Sequence, residues 1–243
     1  MALKLKRPGG ELATRPLYFF WIVDCSGSMF GEKIGAVNHA IQSVIPDMRE
    51  AAESNPNAQL LVRTLRFSTG ASWITPEAVP IEEFAFDDLD ASGRGLTNMG
   101  QAFEMVASQL RIPPMSERAI LPVLVLLSDG QPTDNYKQSL DQLLRLPWGK
   151  KAVKIAISIG RDADDSVLEA FTGNPELVLE ANNASMLTKT IKWASSAVAT
   201  LSAPSSSILS EEDRNGSHSP AMRVLDISNI PTPDDDIDGE DVW

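Results

Sequence analysis

Two runs of strand length, Leu17 to Val23 and Leu121 to Leu127, are built almost wholly from apolar and aromatic residues, and each passes directly into a loop of acids and hydroxyls. The first loop is Asp24-Cys25-Ser26-Gly27-Ser28-Met29 and the second Ser128-Asp129-Gly130-Gln131-Pro132-Thr133-Asp134. A strand without polar alternation has no face to offer water, so it belongs inside a sheet covered on both sides by helices. Two such strands, each ending in polar loop chemistry, describe the centre of a parallel sheet with ligand-binding groups at its carboxyl edge.

The rest of the chain supplies the covering layers. Ile34, Val37, Ala40, Ile41, Val44, Ile45 and Met48 recur at helical spacing between Gly31 and Ser54, with Pro46 expected to kink or interrupt the later turns. Gln59 to Phe67 reads as a strand and Asn98 to Leu110 as a helix that stops before Pro113-Pro114. A helix is expected from Tyr136 to Leu146, a strand over Lys151 to Ile159, and a short helix from Asp164 to Phe171. A brief strand over Leu177 to Leu179 and a last helix from Ser185 to Leu201 complete the series. The alternation predicts an α/β fold: a doubly wound, mostly parallel central sheet with helices on both faces. Ser68 to Gly95 is less regular, and Trp73 to Phe86 is assigned an antiparallel edge hairpin. Gly35 and Gly100 are expected to let helices approach the sheet closely.

With 243 residues, 43% of them hydrophobic, the chain can form one sizeable core. We divide it into an N-terminal extension (1–15), one folded domain (16–201) and an acidic tail (202–243). Of the net charge of −12, the stretch from Ser205 to Trp243 contributes −8, from ten acidic side chains against Arg214 and Arg223. No stripe of Lys and Arg offers to neutralise phosphates, so nucleic acid is not expected as a partner. No apolar run approaches the roughly 20 residues that cross a bilayer, so no membrane is expected either. The single cysteine, Cys25, fits a reducing compartment, and no signal-like apolar core precedes Leu17; the expected location is the cytoplasm.

Three loops gather where a parallel sheet binds ligands: Asp24 to Ser28, Gly93-Arg94-Gly95-Leu96-Thr97-Asn98, and Ser128-Asp129-Gly130. They offer carboxylates from Asp24 and Asp129 and hydroxyls from Ser26, Ser28 and Thr97. This hard, oxygen-only set suits Mg²⁺, with Mn²⁺ able to replace it. Zn²⁺ is less apt, because Cys25 is the only soft donor nearby. Gly27 is read as letting the chain curl so that the three side chains of the first loop turn toward one point.

In this order and on these loops, Asp24-Cys25-Ser26-Gly27-Ser28, Thr97 and Asp129-Gly130 resemble the metal-ion-dependent adhesion site of von Willebrand factor A domains, over roughly residues 16 to 201. The resemblance implies direct coordination by Ser26 and Ser28, coordination by Thr97 in the ligand-competent state, and Asp24 and Asp129 acting largely through water. A partner's carboxylate would fill the remaining position. Within the family, Gly130-Gln131-Pro132-Thr133-Asp134 resembles bacterial TerY-like proteins associated with tellurium resistance. That likeness implies a signalling or stress-response assembly with a serine/threonine kinase or a metal-dependent phosphatase as partner.

Simpler readings stand beside these. Asp-x-Ser-x-Ser alone is also a helix-capping pattern. Asp134 is equally well read as a turn or cap residue or as a partner that supports a metal ligand, and is left out of the site. Arg94 either steers an acidic ligand or is a solvated loop residue. Cys25 has Gly31 where a phosphate-binding Cys-x5-Arg loop needs arginine, so it is read as a packed thiol. His39 and His218 are assigned no catalytic role, and Met99, Met105, Met115, Trp148 and Trp193 are assigned to packing.

The tail is either a solubilising extension or a docking segment, with Met222, Val224, Leu225, Ile227 and Ile230 folding onto a partner. Ser219-Pro220 and Thr232-Pro233 are candidate phosphorylation sites. Three functions follow. The first is a non-enzymatic protein-binding module. The alternative is a Mg²⁺-dependent phosphoryl-transfer enzyme with Asp24 as nucleophile. The third is self-regulation, with an acid from Asp234 to Asp241 occupying the metal.

Overall fold

The computed structural model describes residues 14–55, 57–161, 163–202 and 230–231. The acidic tail, apart from Ser202, Ile230 and Pro231, therefore lies outside the described residues, as do Ser219, Thr232 and nearly all of the N-terminal extension.

Strand β1 (Arg15–Asp24) is flanked by β2 (Ala58–Phe67) on one side and β5 (Val123–Ser128) on the other, parallel to both. Beyond β5 come β6 (Val153–Ile159) and β7 (Val178–Ala181), again parallel. The edge beside β2 is antiparallel and broken into β3 (Ala71–Trp73) and β4 (Val79–Pro80), giving the order β3-β2-β1-β5-β6-β7 with β4 also on β2. This is the expected doubly wound α/β sheet. The expected hairpin within Trp73 to Phe86 is corrected: both short strands pair with β2 and not with each other. Ser68 and Gly70 close the turn between β2 and β3, Ser68 N donating to Gly70 O at 2.7 Å. A strand of two residues has too little ladder of its own to hold a separate hairpin.

Every residue from Phe19 to Asp24 is buried, and alternation along β1 divides the core in two. Phe19, Trp21 and Val23 face α1 (Glu32–Glu53) and α6 (Ala184–Ser202). Phe20 and Ile22 face α2 (Met99–Gln109), α3 (Tyr136–Arg145) and α5 (Asp165–Thr172). Helix α1 continues through Pro46 to Glu53, so the proline does not interrupt it as the sequence allowed. Val44, Ile45 and Met48 around the proline are all buried, so tertiary packing holds turns that one missing backbone bond would weaken. A short helix α4 (Pro147–Lys151), with proline in its first turn, precedes β6 and was not anticipated.

Between β4 and α2 the chain forms no regular element, yet it is tied down. Arg49 of α1 donates to the carbonyls of Ile81 (3.1 Å) and Phe84 (2.8 Å). Asn38 and Leu89 exchange two hydrogen bonds, Asn38 Nδ2 to Leu89 O at 2.9 Å and Leu89 N to Asn38 Oδ1 at 3.0 Å. With Ile81, Phe84, Leu89 and Ala91 buried in the first core, this stretch delivers the Gly93–Asn98 loop to the sheet's carboxyl edge at a fixed height. Ile230 is half-buried against the same core, so at least one apolar residue of the tail region packs on the chain's own domain.

Candidate metal centre

Between β1 and β5 the connections turn to opposite sides of the sheet, and the crevice outside the strand ends at such a switch is where open α/β sheets bind ligands. Asp24 closes β1 and Asp129 follows the last residue of β5, one on each side of that crevice. Val23 pairs with Leu127, so the next residues, Asp24 and Ser128, come side by side. Their side chains meet: Ser128 Oγ donates to Asp24 Oδ2 at 2.6 Å, while Ser26 N donates to Asp24 Oδ1 at 2.8 Å. Ser128 Oγ also accepts from Gly130 N at 3.0 Å.

After Asp24 the chain makes a single 3₁₀ turn, Gly27–Met29, that sets Ser26 Oγ 3.1 Å from Ser28 Oγ. Ser26 is buried and Ser28 exposed, so the hydroxyl pair leads from the buried carboxylates to solvent. The third loop is docked by Gly27 N donating to Gly95 O at 3.0 Å. That corrects the reason for Gly27. It has no positive φ, but a Cβ there would stand 3.2 Å from both the Gly93 and Gly95 carbonyls, so glycine allows the two loops to approach closely. Gly130 does need conformational freedom: its φ is +71°, and a Cβ would overlap the Asp164 carbonyl. Asp164 N in turn donates to Asp129 O at 2.7 Å, fixing the backbone of the second carboxylate. Gly35 has open space around its Cα, so it mediates no close helix contact.

The electrostatics of the centre are unbalanced. Asp24 and Asp129 are both fully buried. Burial, helped slightly by the neighbouring Asp129 charge, pushes the Asp24 carboxyl up to about 6, against the opposing hydrogen bonds from Ser128 and Ser26. Neither Oδ1 nor Oδ2 of Asp129 has a hydrogen-bond partner. Buried carboxylate oxygens are ordinarily satisfied, and the chemistry that satisfies two at once beside a second carboxylate and a pair of hydroxyls is a hard divalent cation. The residues present thus fit such an ion. Among the described residues no group of three or more His, Cys, Asp or Glu forms a separate metal cluster, in keeping with a site that relies on hydroxyls. Burial, and then the Asp24 charge, push the Cys25 thiol up to about 12, so it stays protonated and is a packed thiol. Arg94 is exposed on the third loop.

Of the sequence-assigned residues, Asp24, Ser26 and Ser28 are joined by direct hydrogen bonds. Asp129 joins through the neighbouring Ser128, and Thr97, 5% exposed, arrives on the loop docked at Gly27. Sequence reasoning passed over Ser128, whose signal was its position at the end of a strand in register with Asp24. It also left out Thr133 and Asp134, which contact the Thr97 loop and the start of α2.

Fold and site together define a doubly wound α/β domain with a hydroxyl- and carboxylate-lined centre at the switch point. The family profile described as von Willebrand factor type A domain matches residues 20–193, and the chain belongs to that family. Comparison with curated proteins gives no match. Among solved structures, a von Willebrand factor type A protein from Catenulispora acidiphila superposes with TM-score 0.56 at 14% identity, covering 76% of this chain and 43% of that one. The ArnB paralog VWA2 from Sulfolobus acidocaldarius gives 0.54 at 21% identity, covering 72% and 44%. Proximal thread matrix protein 1 from the mussel byssus, with a zinc-occupied metal-ion-dependent adhesion site, gives 0.55 at 17% identity, covering 79% and 48%. The chain spans less than half the length of these structures, and at such identities the likeness is one of fold. No helix among the described residues is long and apolar enough to cross a membrane.

Proposed function

We propose that this chain is a metal-dependent protein-interaction module. A divalent ion, Mg²⁺ or in its place Mn²⁺, is held by Asp24, Ser26, Ser28, Thr97 and Asp129, and a carboxylate of a partner protein completes its coordination. The observation that carries this reading is the pair of buried, unpartnered oxygens of Asp129 beside the buried Asp24. Two carboxylates withdrawn from water repel and are poorly solvated until a cation lies between them. The zinc-occupied site of the mussel protein supports divalent occupancy in this fold. The donor set here favours Mg²⁺ or Mn²⁺, because hydroxyls and carboxylates are hard ligands and the only nearby thiol is protonated.

In this reading the module binds and breaks no bond. The competing role of Asp24 as a phosphoryl-accepting nucleophile is disfavoured by its complete burial and by donors already occupying both its oxygens. The biological setting we propose is a bacterial, cytoplasmic signalling or stress-response assembly with a serine/threonine kinase or metal-dependent phosphatase as partner. Its support is the resemblance of Gly130 to Asp134 to TerY-like proteins, together with the single, reduced cysteine.

The test is affinity capture from the source cells with wild type and Asp129→Ala, in Mg²⁺ and in chelator, paired with Mn²⁺ titration of both proteins. Partners retained only by wild type in Mg²⁺, and lost when their acidic side chains are neutralised, are the expected result. Capture that survives chelation and the substitution refutes the metal-bridged reading. Mg²⁺-dependent turnover of an aryl phosphate would return the site to the enzymatic alternative.

A further inference from the structure

Four residues beyond Asp129 the chain makes contacts that the carboxylates themselves do not require. Thr133 and Thr97 exchange two hydrogen bonds, Thr133 N to Thr97 O at 2.9 Å and Thr97 N to Thr133 Oγ1 at 3.0 Å. Thr133 Oγ1 also donates to Asn98 Oδ1 at 3.4 Å. The next residue places both carboxylate oxygens on the start of α2: Gly100 N donates to Asp134 Oδ1 at 2.9 Å and Gln101 N to Asp134 Oδ2 at 3.1 Å. Asn98, which occupies the N-cap position, makes no capping bond with its own side chain, so the cap of α2 comes from a different loop. The approach is close enough that a Cβ on Gly100 would stand 2.9 Å from Asp134 Oδ2 and 3.0 Å from the Cα of Tyr136.

Thr97 lies two residues before α2, and Asp129 lies four residues before Thr133. Residues 129 to 134 therefore form a short strap that begins at one metal-facing side chain and ends clamped on the loop and helix that carry another. We infer that Thr133 and Asp134 are positioning residues of the metal centre: they fix the backbone that carries Thr97 to the strap that begins at Asp129. The inference rests on the metal reading above and goes beyond it by assigning the strap a part in metal affinity. Its physical basis is preorganisation. Thr97 and Asp129 come from loops far apart in sequence, and an ion that had to order the Thr97 loop on arrival would lose affinity by that cost. The carboxylate of Asp134 suits the task because it accepts two backbone bonds at the positive end of a helix. A cap that merely stabilised α2 would change the unfolding midpoint and leave metal affinity untouched.

The experiment is Mn²⁺ titration of the full chain, following free Mn²⁺ by electron paramagnetic resonance, with thermal unfolding measured in parallel. The variants are Thr133→Val, Thr133→Ser, Asp134→Ala and Asp134→Asn. Removing groups that hold a metal's ligands in place typically costs about 10- to 100-fold in affinity, and that range is expected for Thr133→Val and Asp134→Ala. Thr133→Ser keeps the accepting hydroxyl and restores near wild-type affinity; Asp134→Asn, with one accepting oxygen, falls between. Should Asp134→Ala fail to fold, the Thr133 pair carries the test, since valine keeps the shape and loses only the hydroxyl with its two hydrogen bonds. Wild-type affinity in folded Thr133→Val, or no recovery in Thr133→Ser, overturns the inference. A wild-type chain that binds no Mn²⁺ refutes the metal reading itself.

Discussion

Replacing Asp24 by asparagine should make the metal-free protein more stable at neutral pH and the metal-loaded protein less so. The Asp24 carboxyl titrates near 6 in the folded chain against an ordinary value of 3.8, because burial penalises its charge. Between those values the folded state keeps a proton that the unfolded state has released. Unfolding is therefore progressively favoured as pH rises from about 4 to about 6, and flat outside that window. A shift of about 2 units at roughly 1.4 kcal/mol each amounts to about 3 kcal/mol of stability absent at pH 7. Asparagine at this position carries no charge and keeps an oxygen for Ser26 N, so it escapes most of that cost. Bound Mg²⁺ reverses the order, since a ligand at 1,000 times its Kd adds about 4.1 kcal/mol to wild type alone. Urea unfolding at pH 4.5, 5.5 and 7, in chelator and in Mg²⁺, reads both effects as the difference between wild type and Asp24→Asn. Carboxylates that do not interact with Asp24 cancel in that difference. If in chelator the variant is the less stable protein at pH 7, or both show the same slope from pH 4 to 6, the account of a strained, cation-seeking carboxylate is refuted.

Two further outcomes follow from the packing around the site. Gly130→Ala, which forces a side chain into positive φ and against the Asp164 carbonyl, should cost at least about 2 kcal/mol in urea unfolding; a loss under about 0.5 kcal/mol would mean that the Asp164 loop yields freely. Asn38→Ala leaves both backbone groups of Leu89 without their partner and should cost about 1–3 kcal/mol, with faster amide exchange at Leu89 and in the Gly93–Asn98 loop; unchanged protection there would separate the long connection from the site it delivers.

Much of the architecture was legible because it rests on periodicity. The unbroken apolar runs of β1 and β5 could belong only to inner strands, and the spacing from Ile34 to Met48 could belong only to a helix with one buried face. Where local signals misled, tertiary packing had overruled them. Pro46 sits in a helix whose neighbouring side chains are buried on the sheet, and the segment after Trp73 pairs with β2 because that edge was open. The 81–98 connection looked irregular and is irregular, but nothing local announces that Arg49 and Asn38 of α1 hold it down.

For the site, the residue types and their order were enough to single out Asp24, Ser26, Ser28, Thr97 and Asp129, since hard oxygen donors at strand ends are chemically distinctive. What each of them does to its neighbours was not. The role of Ser128 depends on a register between strands about a hundred residues apart, and Gly27 serves a contact with a loop nearly seventy residues away. Asp134, read from the sequence as either a turn or cap residue or a support for the site, caps a helix that precedes it in sequence. Composition and periodicity thus determined the main strands and helices and which chemistry sits at their ends, because both are written in local patterns. Which side chains satisfy one another, and which buried oxygens are left without a protein partner, was decided only when the sheet brought distant segments within hydrogen-bonding reach.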